Sequence, residues 1–141
     1  MANKLFIDTN ILLDHYLKRP TFSTESTKLL NDCVLNEYQL FTDISCVQTS
    51  MYIIIKSAKI NLKVQKQILQ NFYEIFEICQ TDKIAIKKAI ESDFKDLEDA
   101  ILYFTAEMNN IDYFVTRNIK DYPVKASPEV VTPDEAINIL F

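Results

Sequence analysis

The stretch Lys4-Leu5-Phe6-Ile7-Asp8-Thr9-Asn10-Ile11-Leu12-Leu13-Asp14 decides the fold. Its first half is a short apolar run closed by an acid, the pattern of a strand buried on both faces. Ile11, Leu12, Tyr16 and Leu17 then recur at helical spacing, so the strand passes directly into a helix, as in the opening of an α/β unit. Pro20 ends that helix. Ser23 is placed to cap a second one, with Leu29, Leu30, Cys33 and Val34 expected to face inward.

The alternation continues along the chain. Gln39-Leu40-Phe41-Thr42 reads as a second strand, and a helix is expected from Ser45 through Tyr52-Ile53-Ile54-Ile55. Leu62 to Phe76 carries the helical stripe Leu62, Ile68, Leu69, Phe72 and Phe76, followed by a short strand at Glu77-Ile78-Cys79. Thr81 or Asp82 can cap a helix running through Ile86 and Ile90. Asp96 opens a further helix with Leu97, Ile101, Phe104 and Met108 on one stripe, and Asn109-Asn110 stops it. Tyr113-Phe114-Val115-Thr116 is the next buried strand and Val130-Val131 a last edge strand. Thr132-Pro133-Asp134-Glu135 starts the final helix, with a capping Thr, Pro at the first position and Glu at the third.

Strands alternating with helices predict a single α/β domain over residues 1–141, three layers deep, its mostly parallel sheet covered on both faces. In such sheets ligands bind beyond the carboxyl ends of the strands. Two segments are selected: Asp8-Thr9-Asn10 and Thr116-Arg117-Asn118.

Composition narrows the chemistry. Glycine is absent, which excludes a Walker loop, a dinucleotide-binding turn and a Gly-x-Ser-x-Gly nucleophile elbow. His15 is the one histidine and reads as structural or solvent-facing. Cys33, Cys46 and Cys79 are widely spaced and read as buried thiols rather than a disulfide framework or zinc site. The start of the chain shows no signal segment or membrane span, so a cytoplasmic location is expected. A net charge of −5 opposes unaided attraction to phosphates, so nucleic-acid chemistry here needs metal ions or a local basic face. Lys56, Lys59, Lys63 and Lys66 would supply such a face on an uninterrupted helix, or simply a solvated one.

The acids carry the functional reading. Asp8 follows the first strand, where it can cap a helix or hold a cation. Asp96, Glu98 and Asp99 gather at a helix start, where Asp96 is equally a cap and a ligand. Asn118 and Asp121 follow the Tyr113–Thr116 strand, where turn chemistry also uses them. Like charges brought to one sheet edge repel unless a cation neutralises them, and Mg²⁺ or Mn²⁺ takes oxygen ligands from such groups.

Three blocks together resemble the PIN-domain family, and its VapC-like toxin branch in particular. They are the opening stretch, Asp93-Phe94-Lys95-Asp96-Leu97-Glu98-Asp99-Ala100, and Asp112-Tyr113-Phe114-Val115-Thr116-Arg117-Asn118-Ile119-Lys120-Asp121-Tyr122. The resemblance implies a PIN-like α/β/α fold and a metal-dependent endoribonuclease of toxin–antitoxin type. By it, Asp8 and Asp99 are metal ligands, Asn118 stands where many members carry Asp, Asp121 substitutes for it, and Asp96 or Glu98 adds charge. It also implies RNA as substrate, Mg²⁺ or Mn²⁺ as cofactor, a small antitoxin partner, and a homodimer. The chain departs from the family at the helix after the second strand, where many members carry Glu and Val47-Gln48-Thr49-Ser50-Met51-Tyr52 has no acid; Ser50 stands nearest that position. The alternative is a weakened PIN-fold module that binds RNA or a protein without cutting it. A phosphatase that uses Asp-x-Asp is disfavoured because the second acid would be Asn10, which cannot protonate a leaving group.

Overall fold

The computed structural model describes residues 3–124 and 127–141. In chain order the elements are β1 (Lys4–Ile7), α1 (Thr9–Tyr16), α2 (Ser23–Leu35), β2 (Gln39–Thr42), α3 (Ile44–Ala58), α4 (Leu62–Ile75), β3 (Phe76–Ile78), α5 (Lys83–Glu91), α6 (Leu97–Met108), β4 (Tyr113–Val115), β5 (Glu129–Val131) and α7 (Pro133–Leu140), with a 3₁₀ turn at Ile119–Asp121. The five strands form one sheet in the order β3-β2-β1-β4-β5, and every pairing is parallel. The expected α/β architecture is therefore present, and the sheet is parallel throughout rather than mostly so.

Leu5, Phe6 and Ile7 point alternately to opposite faces of β1 and all three are buried, so helices cover both sides of the sheet. Phe6 stacks on Phe114 of the neighbouring β4 with ring centroids 5.0 Å apart. Beside that pair, Phe94, Tyr103 and Tyr122 form an aromatic cluster that packs α6 onto the sheet. Connections run away from β1 on both sides, to β2 and to β4. The carboxyl ends of β1 and β4 thus form the crevice where the strand order reverses, the place parallel sheets leave open for ligands.

Capping follows the sequence closely at several helices. Asp8, Asp43, Asn61, Asp82, Asp96 and Thr132 each accept a backbone N–H with the side chain, and Thr132 with Glu135 completes a reciprocal box. Asn110, at φ 57°, takes the left-handed position expected of the Asn109-Asn110 stop. Without glycine, other left-handed positions fall to Lys18, Thr21, Glu37 and Lys59. All three cysteines are free and buried, as expected. His15 is half-buried and pairs through Nδ1 with Thr27 Oγ1 at 2.8 Å, a structural role.

Several expectations are corrected. Ser23 does not cap α2: Phe22 holds the cap position and makes no side-chain bond there. Val34, Leu62, Leu69, Leu97 and Ile101 are exposed rather than inward. Phe76 begins β3 instead of ending α4. The inner face of α6 is Ala100, Tyr103, Thr105 and Ala106, because small residues let the helix approach its neighbours closely while one tyrosine fills the core. The lysine face is broken, since Lys59 adopts the left-handed cap that ends α3 and α4 begins only at Leu62.

Candidate active site

Asp8 sits at the carboxyl end of β1 as the cap of α1 and is only 5% exposed. Its Oδ1 accepts the Thr9 N–H at 2.7 Å, and its Oδ2 accepts the Thr116 hydroxyl at 2.9 Å. Burial pushes this carboxyl above its ordinary range, and the Asp43 charge adds to that; the bonds from Thr116 and Thr9 and the charge of Arg117 oppose it. The two segments chosen from the sequence therefore meet, β1 and β4 being adjacent strands joined at their ends by this side-chain bond.

Asp99 lies in the first turn of α6, behind Asp96, whose Oδ1 accepts the Asp99 N–H at 3.2 Å. Its carboxyl is pushed up to about 6, chiefly by burial, then by the charges of Asp96, Asp8 and Asp121, with the Tyr122 hydroxyl acting the other way. Asp8 and Asp99 line one cleft of about 450 Å³, together with Thr9, Asn10, Ser45, Thr49 and Glu98 among others. Distant parts of the chain have thus brought two carboxylates to one opening at the strand ends.

The remaining sequence-chosen residues are placed less centrally. Asp96 is exposed and its capping bond is made; with Glu98 and Asp121 it lines an adjoining groove that also holds Lys95 and Lys120. Asn118 is exposed, stands before the 3₁₀ turn without a side-chain capping bond, and lines neither groove. Ser50 is fully buried and its hydroxyl has no hydrogen-bond partner, whereas Thr49, one residue earlier, is exposed on the cleft wall.

Sequence reading missed three residues. Asp43 is buried at the end of β2, accepts the Cys46 N–H and the Ser45 hydroxyl at 2.8 Å each, and acts electrostatically on Asp8. Its position after a strand, the same signal that selected Asp8, could have found it. Thr116 reads as the end of a buried strand and the start of a selected segment, and its particular role, holding Asp8, is visible only in the fold. Tyr122 closes the third block of the resemblance without a role of its own, and nothing in local sequence reveals where its hydroxyl ends.

The donors facing the cleft are carboxylates, hydroxyls and an amide, with no thiol or imidazole on the wall, a set suited to a hard divalent cation. Among the described residues, no three His, Cys, Asp or Glu side chains are gathered as a ready-made metal group. Two carboxylates with water and substrate oxygens nevertheless match the way Mg²⁺ is commonly held, so the residues present fit such an ion.

The profile of the PIN domain matches residues 4–120. The chain belongs to the PIN domain family. Ribonuclease VapC1 of Aquifex aeolicus (strain VF5) is 27% identical over 141 residues, covering 95% of this chain and 93% of the relative. Among solved structures, VapBC2 of Rickettsia felis bound to a DNA fragment from its promoter superposes with a TM-score of 0.64 at 18% identity, covering 92% of this chain and 98% of that one. FitAB bound to the IR36 DNA fragment gives 0.55 at 17% identity, covering 92% and 94%. The PIN fold accounts for the parallel sheet and for the location of the cleft at its carboxyl edge.

Proposed function

We propose that this PIN domain is a metal-dependent endoribonuclease of the VapC-like toxin type, cleaving RNA phosphodiesters by attack of water. The observation that carries the reading is the shared cleft of Asp8 and Asp99, residues that lie in separate blocks of the chain. Asp8 would hold Mg²⁺ or Mn²⁺ with Asp99, while Asp96, Glu98 and Asp121 add negative charge at the rim and Asn118 contributes from the loop after β4. When bound, the ion supplies a lowered pKa for water and neutralises charge on the phosphoryl oxygens. The chain's own residues orient: Thr9 N–H and Thr116 fix both oxygens of Asp8, and the Asp96 cap fixes the first turn of α6 that carries Asp99. Lys95 and Lys120 in the adjoining groove offer cations to an RNA backbone on an otherwise acidic chain.

The family resemblance extends the proposal to a small antitoxin partner, a homodimer and a cytoplasmic location. Among the described residues no helix is long and apolar enough to cross a membrane. The relatives VapBC2 and FitAB were solved on DNA. A second reading, a PIN module that binds RNA or protein without cutting it, is favoured by the absence of an acid at Thr49 and Ser50 and by the outward position of Asn118.

Incubating mixed RNAs with the protein in Mg²⁺ or Mn²⁺ separates the two. Cleavage that drops by about a hundredfold in Asp8→Asn and Asp99→Asn supports the nuclease. Equal cleavage by wild type and both variants removes these residues from the reaction. RNA binding without cleavage selects the second reading.

A further inference from the structure

The Tyr122 side chain is 6% exposed and its hydroxyl is buried without a completed hydrogen bond. That group nevertheless faces both the Asp99 carboxylate and Thr116. The ring cannot easily turn away, because Phe94 and Phe114 hold it with centroids at 5.5 and 5.2 Å, and Tyr103 packs at 6.4 Å. A phenylalanine would fill this apolar position equally well, and a buried hydroxyl left unpaired costs about 1–3 kcal/mol. A buried hydroxyl kept at this cost calls for a role, and the groups it acts on are Asp99 and Thr116.

Thr116 limits what that partner can be. Its hydroxyl proton is already committed to Asp8 at 2.9 Å, so Thr116 can only accept from Tyr122. The tyrosine proton therefore has two destinations, Thr116 or Asp99. An ionised Asp99 is the stronger acceptor, since hydrogen bonds to charged oxygens are roughly twice as strong as neutral ones.

We propose that Tyr122 is a positioning residue: its buried hydroxyl donates to Asp99 when the cleft is filled, fixing the carboxylate that shares the cleft with Asp8. Tyr122 touches neither substrate nor cation; it acts through Asp99, while Thr116 beside it holds Asp8. The two cleft acids are thereby oriented from one buried point. This inference rests on the nuclease reading above only in taking Asp99 as a cation ligand.

The test is Mn²⁺ binding by calorimetry to the wild-type protein, Tyr122→Phe, Asp99→Asn and the double variant, with thermal melts alongside. Tyr122→Phe keeps the ring and removes the unpaired hydroxyl, so it should melt at or above wild type. Its Mn²⁺ affinity is expected to fall about tenfold, the usual effect of removing a group that orients a ligand. Because the hydroxyl works through Asp99, the double variant should bind no more weakly than Asp99→Asn alone. Wild-type affinity in Tyr122→Phe, with weakened Asp99→Asn, overturns the inference and leaves the nuclease reading standing. Losses that simply add in the double variant also overturn it. Equal binding by wild type and Asp99→Asn overturns both.

Discussion

Thr116 Oγ1 donates a 2.9 Å hydrogen bond to Asp8 Oδ2, joining the ends of β4 and β1 across 108 positions of sequence. Both residues are buried, so the bond is shielded from water and orients a carboxylate that would otherwise be free to turn. Replacing Thr116 by Val keeps the shape and removes the donor. We predict a loss of about 1–3 kcal/mol, read from chemical denaturation, together with weaker Mn²⁺ binding. Unchanged stability and binding would show that the Thr9 N–H alone suffices to hold Asp8.

Asp99 makes stability depend on pH. Its folded carboxyl is raised to about 6 from 3.8, so between those values the folded protein binds more protons than the unfolded chain. Its favourable contribution is therefore complete below 3.8 and lost as pH rises through about 6. Asp8 shifts in the same direction. In chelator, Asp99→Asn should raise Tm by about 2–4 °C at neutral pH, corresponding to ~1 kcal/mol, and lose that advantage in acid. Asp99 is partly exposed, so solvent screening keeps the effect at this modest level. A variant that melts below wild type at neutral pH would contradict the cost assigned to burying this carboxylate among like charges.

The cleft wall predicts how charge could be restored. Thr49 is exposed on it, while Ser50 is buried beside it. Thr49→Glu should fold and strengthen Mn²⁺ binding by about tenfold, since affinity follows the number of anionic ligands. Ser50→Glu should instead fail to fold, or unfold several degrees earlier, because it places an unpaired charge in the core. Calorimetry and melting curves on the two variants check both statements, and the reverse ranking would mean that α3 is rotated from the arrangement described.

Part of the fold is legible in the sequence and part is not. β1, β2 and β4 were legible because buried parallel strands are short continuous apolar runs, and Asp8, Asp82, Asp96 and Thr132 because a cap must stand just before its helix. Inward faces were harder. The stripe Leu97–Ile101–Phe104–Met108 has helical period, yet α6 turns Ala100, Thr105 and Ala106 inward, and small or polar residues carry little signal in a hydrophobic pattern. Asp8 follows from its place after a strand and Asp99 from the resemblance to the PIN family, and the two do line one cleft. Asn118, which follows β4, is exposed before the 3₁₀ turn and lines neither groove. Tyr122 and Asp43 gain their relation to the site only through packing between elements.

The most direct test of the site is a crystal soaked in Mn²⁺ and measured for anomalous scattering. The account predicts one strong peak in the cleft within coordination distance of both the Asp8 and Asp99 carboxylates, absent in Asp8→Asn. A peak bound by only one of them, or lying in the groove of Lys95 and Lys120 instead, would contradict it.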